Sequence, residues 1–149
     1  MASRIAPPSP PGSLFKVPRK KRPRAAAVAT GQRRPRETNN SHLAFLRTLP
    51  CCCCPADPCK EAAHIRFASF IHDKPETGIG RKPDDRDAVP LCRTCHQDGP
   101  QAQHKVGERV FWDRHHIDPV KLARALYALT GQDQAARKLV ALARSGLFK

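Results

Sequence analysis

Two Cys-x-x-Cys pairs, Cys51 with Cys54 and Cys92 with Cys95, constrain this chain more than any other feature. Each pair brings two thiolates to one edge of a tetrahedral ion, and two pairs a few tens of residues apart close a four-sulfur shell suited to zinc. A shell of four cysteines has no open coordination position, so its expected role is structural. The register of the first pair is open, because Cys51, Cys52, Cys53, Cys54 and Cys59 all compete. Cys51 with Cys54 matches the spacing of Cys92 with Cys95, which leaves Cys52, Cys53 and Cys59 spare. The competing reading takes these cysteines as small buried hydrophobes. Seven cysteines are an odd number, and the start of the chain has no signal-peptide pattern. Both features favour metal over disulfides, in a reducing compartment.

A staple of this kind suits a chain of 149 residues with six Phe, one Trp and one Tyr. That length supports one modest domain with tails, and few large side chains are present to anchor a core. The balance of 27 basic to 13 acidic residues, net +14, implies a polyanionic partner, since a basic chain gains affinity by displacing counterions from phosphates. Nucleic acid is favoured over an anionic membrane because no basic amphipathic helix accompanies the charge. No apolar run is long enough to span a bilayer, and no membrane partner is expected.

The chain divides into three parts. Residues 1–40 are rich in Pro, Arg and Lys and carry +9 of the net charge, with Glu37 the lone acid. Such a segment buries too little apolar surface to offset its ordering entropy and is expected to be disordered when free. Its run of Arg19, Lys20, Lys21, Arg22 and Arg24 fits a DNA-contacting arm, or a nuclear import signal. Residues 41–105 hold a short helix capped by Ser41 and stopped by Pro50, the first cysteine cluster, and an alternating strand "AAHIRFASF". A polar loop follows, and then "VPLCRTCH", a strand turning through a knuckle into the start of a helix. Residues 106–149 are helical. One helix lies in "VGERVFWDRHH". A second is capped by Asp118 with Pro119 at its first position, and a third ends at Gly146. Phe111 and Trp112 are expected in the core, though their exposure would suit an adaptor that recruits a partner through these helices.

The histidines raise the functional question. His96 follows Cys95 directly, so on a helix opening at the knuckle it points away from the zinc. His64 and His96 can then converge on a second, Mg²⁺-type ion that polarises a phosphate oxygen while a neutral histidine takes a proton from water. Taken singly, each has a plainer reading: His64 as a hydrogen-bonded strand residue, His104 as a surface residue. His115 and His116 suit a helix end.

The segments "LPCCCC", "EAAHIRF", "GIGRKPDDRDAVPLCRTCH" and "GERVFW", in this order, resemble the HNH (ββα-metal) nuclease class. They are most similar to a family of small phage and prophage proteins related to the RecA-dependent Ref-type nucleases. The resemblance spans roughly Leu43 to Leu129. It implies an α+β fold in which a zinc-stapled ββα-metal module carries C-terminal helices and a disordered basic N-terminal tail. It further implies a metal-dependent DNA endonuclease of low sequence specificity, working in the cytoplasm of a bacterial host cell. His64 takes the general-base position, His96 is the metal ligand at the helix start, and His104 is the second ligand. The implied cofactors are a structural Zn²⁺ at Cys51, Cys54, Cys92 and Cys95 and a catalytic Mg²⁺ or Mn²⁺. DNA is the implied partner, with a recombinase filament as a further candidate.

The chain departs from the family's pattern at three points. Ala63 stands where a metal-binding residue is frequent, Asp87 stands at the usual asparagine position, and Gly99 and Pro100 interrupt a continuous helix between His96 and His104. Asp84, Asp85 and Asp87 are candidates to orient or support the site. Arg66, Arg81 and Lys82 are candidate phosphate clamps beside it, or simply solvated charges. The alternative function is a catalytically inactive zinc-containing nucleic-acid-binding protein on the same fold.

Overall fold

The computed structural model describes residues 35–78 and 80–148. Arg19, Lys20, Lys21, Arg22 and Arg24, with most of the expected tail, lie outside the described residues. The described residues form an α+β unit of five α-helices and one two-stranded sheet.

Helix α1 spans Asn40–Thr48, and its cap is Asn39 rather than Ser41. The Asn39 Oδ1 accepts from His42 N at 2.9 Å and from the Ser41 hydroxyl at 2.7 Å, so Ser41 sits inside the first turn. The residues just before the helix, expected in the free tail, are held in place. Arg36 Nε donates to Pro83 O at 2.7 Å, and Glu37 N donates to Asp84 Oδ1 at 2.9 Å. Ordered structure therefore begins ahead of residue 40, because backbone donors there find carboxylate acceptors in the "KPDD" loop.

Strands β1 (Lys60–His64) and β2 (Ala88–Cys92) pair antiparallel, with Glu61 opposite Leu91 and His64 opposite Ala88. Ala63 and Ile65 are fully buried while Arg66 is exposed, as the alternation requires. The strand stops well short of Phe70 because of a residue far along the chain. After Ile65 N bonds Asp87 O, the N–H groups of Arg66 and Phe67 turn to the Glu108 carboxylate at 2.9 and 3.4 Å. Pro90 interrupts no ladder, since two-stranded sheets are all edge. Its carbonyl accepts Cys52 N at 3.1 Å, which ties the cysteine loop to β2.

Beyond β2 the chain makes a π-helical turn, Thr94–Asp98, ended by Gly99. Gly99 is required there, because a Cβ would lie 2.6 Å from Thr94 O. Helix α2 (Gln103–Val106) and α3 (Glu108–His115) are separated by Gly107, whose φ of +88° breaks what would otherwise be one helix. Asp118 caps α4 (Pro119–Ala128) by accepting from Val120 N and Lys121 N, each at 3.0 Å. Helix α5 (Asp133–Arg144) turns Ala136, Val140 and Ala143 inward.

Helix α1 packs on the hairpin, α4 packs on β2, and α5 packs on α4. Leu46, Leu49, Val89, Leu91, Leu122 and Leu126 join Phe111 and Trp112 in one buried cluster. Both aromatics are 2 % exposed and so belong to the core rather than to a recruiting surface. Each such side chain contributes roughly 1.5–3 kcal/mol on burial. No helix among the described residues is long and apolar enough to cross a membrane.

Candidate functional site

The hairpin and the loop before it bring four sulfurs together. Cys51 and Cys54 lie ahead of β1, Cys92 ends β2, and Cys95 sits in the π-turn. Their Sγ atoms all lie within 4.8 Å of one another, with Cys54 and Cys92 at 3.5 Å. Zinc–thiolate bonds of about 2.3 Å place tetrahedral sulfurs a little under 4 Å apart, so this donor set fits an ion such as zinc. The electrostatics agree with the geometry. The hydrogen bond from Cys95 holds the Cys51 thiol down at about 5, and Cys95 is raised in turn by that same bond. A single ionised sulfur suppresses ionisation of its neighbours until a cation is present.

The spare cysteines are now separable from the four. Cys59 is buried beside the carbonyls of Leu46 and Glu61 at 3.2 and 3.1 Å, and burial pushes its thiol up to about 12. Cys52 is fully buried and raised by desolvation, and Cys53 lies 3.8 Å from it.

One residue beyond Cys95, His96 Nδ1 meets Glu61 Oε2 at 2.7 Å. A carboxylate only accepts, so Nδ1 is the donor in this bond. Gln97 Nε2 donates to the same Glu61 oxygen at 3.3 Å, and Arg93 stands 3.9 Å from the other. His104 packs its ring edge-on to His96, with centroids 4.5 Å apart. Desolvation and then the neighbouring His96 lower the pKa of His104, which is an exposed residue. Beyond the break at Gly99 and Pro100, α2 carries His104 back beside His96. Glu61 escaped the sequence reading. Only the strand register, Glu61 opposite Leu91 and one step from Cys92, reveals that it stands beside the knuckle.

His64 occupies a different pair. Its Nε2 lies 2.9 Å from Asp85 Oδ1, and Asp85 is 1 % exposed. Burial alone would raise this carboxyl, but hydrogen bonds from Asn39 N–H, His64 and Arg36 hold it below the usual range. The Asn39 N–H donates to Oδ2 at 2.8 Å, and Arg36 Nη2 donates to Oδ1. An ionised Asp85 fixes the proton of His64 on Nε2 and leaves Nδ1 able to accept one. Of the three aspartates expected near the site, only Asp85 meets His64. Asp84 accepts from Glu37 N, and Asp87 is paired with Arg124 at 3.3 Å.

His64 and His96, expected to converge on one ion, are each committed to a separate carboxylate. Among the described residues, the four cysteines are the one group of three or more potential ligands that closes on a point. Ala63 is fully buried and offers nothing to an ion. Arg66, Arg81 and Lys82 are exposed. Searches of family models, curated proteins and solved structures find no match to this chain.

Proposed function

We propose that the chain is a metal-dependent DNA endonuclease of HNH type, stapled by a structural zinc at Cys51, Cys54, Cys92 and Cys95. The observation that carries this reading is the pair of His64 with buried Asp85, 2.9 Å apart. It holds the imidazole in place through Nε2, and in the neutral ring Nδ1 could take a proton from an attacking water. His96 and His104 would hold the divalent ion, which when bound polarises a phosphate oxygen and stabilises the leaving oxygen. Glu61 orients His96 and increases its basicity, as carboxylate partners of ligating histidines do. Two imidazoles suit Mn²⁺ better than Mg²⁺, whose preferred donors are oxygens. Exposed Arg66, Arg81 and Lys82 would grip phosphates, which positions the backbone without reading sequence. A phage or prophage origin, action in the bacterial cytoplasm and use of a recombinase filament belong to the same reading.

One observation favours the alternative, an inactive zinc-containing nucleic-acid binder. The buried Ala63 leaves the divalent ion with few protein ligands. Supercoiled-plasmid nicking by zinc-loaded protein in Mn²⁺ or Mg²⁺, against EDTA and His64→Ala, separates the two. Nicking lost in both controls supports the nuclease. Tight binding without nicking by the wild type assigns the binder.

A further inference from the structure

Between Cys54 and Cys92 in sequence, the 3₁₀ turn Phe70–His72 carries the two most exposed large apolar side chains of the described residues. Phe70 is 96 % and Ile71 90 % accessible. The turn is buttressed from beneath. Ser69 and Lys74 exchange two backbone hydrogen bonds of 2.9 Å. Lys74 is 3 % exposed, and its ammonium donates to Phe67 O at 2.8 Å and Pro75 O at 3.3 Å. His72 Nε2 is 2.7 Å from Asp118 Oδ2, and Arg124 donates to His72 O. A buried lysine is costly unless its hydrogen bonds are met by the fold. Here that polar framework holds two hydrophobes out in water.

We propose that Phe70 and Ile71 form a wedge that enters the base stack of duplex DNA, unstacking one step and bending the helix. The inference rests on the nucleic-acid reading above. Two adjacent residues are far too small for the buried centre of a protein–protein interface, but they match the apolar wedges that proteins insert between base steps. Cations are present as well. The chain is net +14, with +9 of it in residues 1–40. Around the turn, exposed Arg66 and Arg109, the latter 4.9 Å over the Phe67 ring, stand beside exposed Asp73 and Glu76. These cations would hold the phosphates flanking the opened step.

The test uses the full, zinc-loaded chain without added divalent ion, on duplexes carrying 2-aminopurine at successive positions. A rise in fluorescence on binding reports unstacking, and end-labelled duplexes report bending by energy transfer. The wild type is expected to do both. F70A/I71A is expected to lose both and to bind roughly tenfold or more weakly, with zinc content and melting temperature unchanged. Phe70→Leu should keep part of the signal. A double variant that unstacks and bends like the wild type overturns the wedge while leaving the nuclease reading intact. So does a wild type that binds duplex without unstacking, or a dimer that the double variant dissolves. A wild type that does not bind DNA at all overturns both.

Discussion

Asp85 holds His64 through a single carboxylate oxygen, Oδ1 to Nε2 at 2.9 Å, while its other oxygen takes the Asn39 N–H at 2.8 Å. The imidazole is therefore oriented by a group that is itself fixed. Replacing His64 with Ala is expected to lower plasmid nicking by about 10²–10⁴-fold without loss of zinc. Asp85→Asn should cost roughly 10²-fold or more, since an amide no longer dictates which nitrogen carries the proton. Single-turnover nicking rates, with zinc content and circular dichroism as controls, check both. Equal rates in wild type and His64→Ala would remove His64 from the chemistry.

The cysteines sort into two groups by geometry, and the difference is measurable. Zinc binding in small zinc-dependent folds is worth about 10–16 kcal/mol, as much as the entire stability of an ordinary domain. Cys92→Ser is expected to abolish stoichiometric zinc and cooperative melting. Cys53→Ser and Cys52→Ala should each retain one zinc per chain, measured by metal analysis after dialysis.

In the proposed nuclease, Glu61 would act on the divalent ion through His96. Glu61→Gln keeps the shape and removes the charge, and is expected to weaken Mn²⁺ binding about 10–100-fold. Titration followed by electron paramagnetic resonance reads this directly. An unchanged affinity would mean that His96 does not hold the ion.

Buried His42 predicts a pH dependence. Its Nδ1 is 2.8 Å from the Thr130 hydroxyl, which itself donates to Tyr127 O at 2.7 Å, so His42 must be the donor. Its Nε2 has no partner. Burial pushes the group from 6.5 down to about 4. As pH falls, the unfolded chain takes up the proton first. The contribution of His42 is full above pH 6.5, shrinks between 6.5 and 4, and totals on the order of 3 kcal/mol. Urea midpoints of the wild type should fall across that window more steeply than those of His42→Leu. Comparing the two cancels protonation of the cysteines.

Gly99→Ala would drive a methyl group to 2.6 Å from Thr94 O. Overpacking of this kind costs about 1–3 kcal/mol. A lowered melting temperature with zinc retained is the expected result.

The parts legible from residue order are those whose signals are local. Helix α4 follows from Asp118 and Pro119, and α5 from its inward face at Ala136 and Val140. The quartet followed from the two-residue spacing within each pair. What escaped depends on partners distant in sequence. Ser41 and Asn39 are equally good caps on paper, and the placement of the first turn decides between them. The alternation after His64 continues in the sequence, but Glu108, 42 residues on from Arg66, draws the backbone out of the ladder. Glu61 reads as a solvent-facing strand residue until the hairpin register places it beside His96. Among Asp84, Asp85 and Asp87, nothing in the order of residues shows which one faces an imidazole.

The packing of α4 on β2 and of α5 on α4 bears on what a shortened chain would look like. A stop after α3 would remove part of the cover of β2, whose residues Ala88 to Leu91 are buried. All four clustered cysteines would remain in such a chain. It could still offer its sulfurs to an ion while exposing an apolar face. In a shortened chain, metal content alone would be no guide to whether the hairpin is covered.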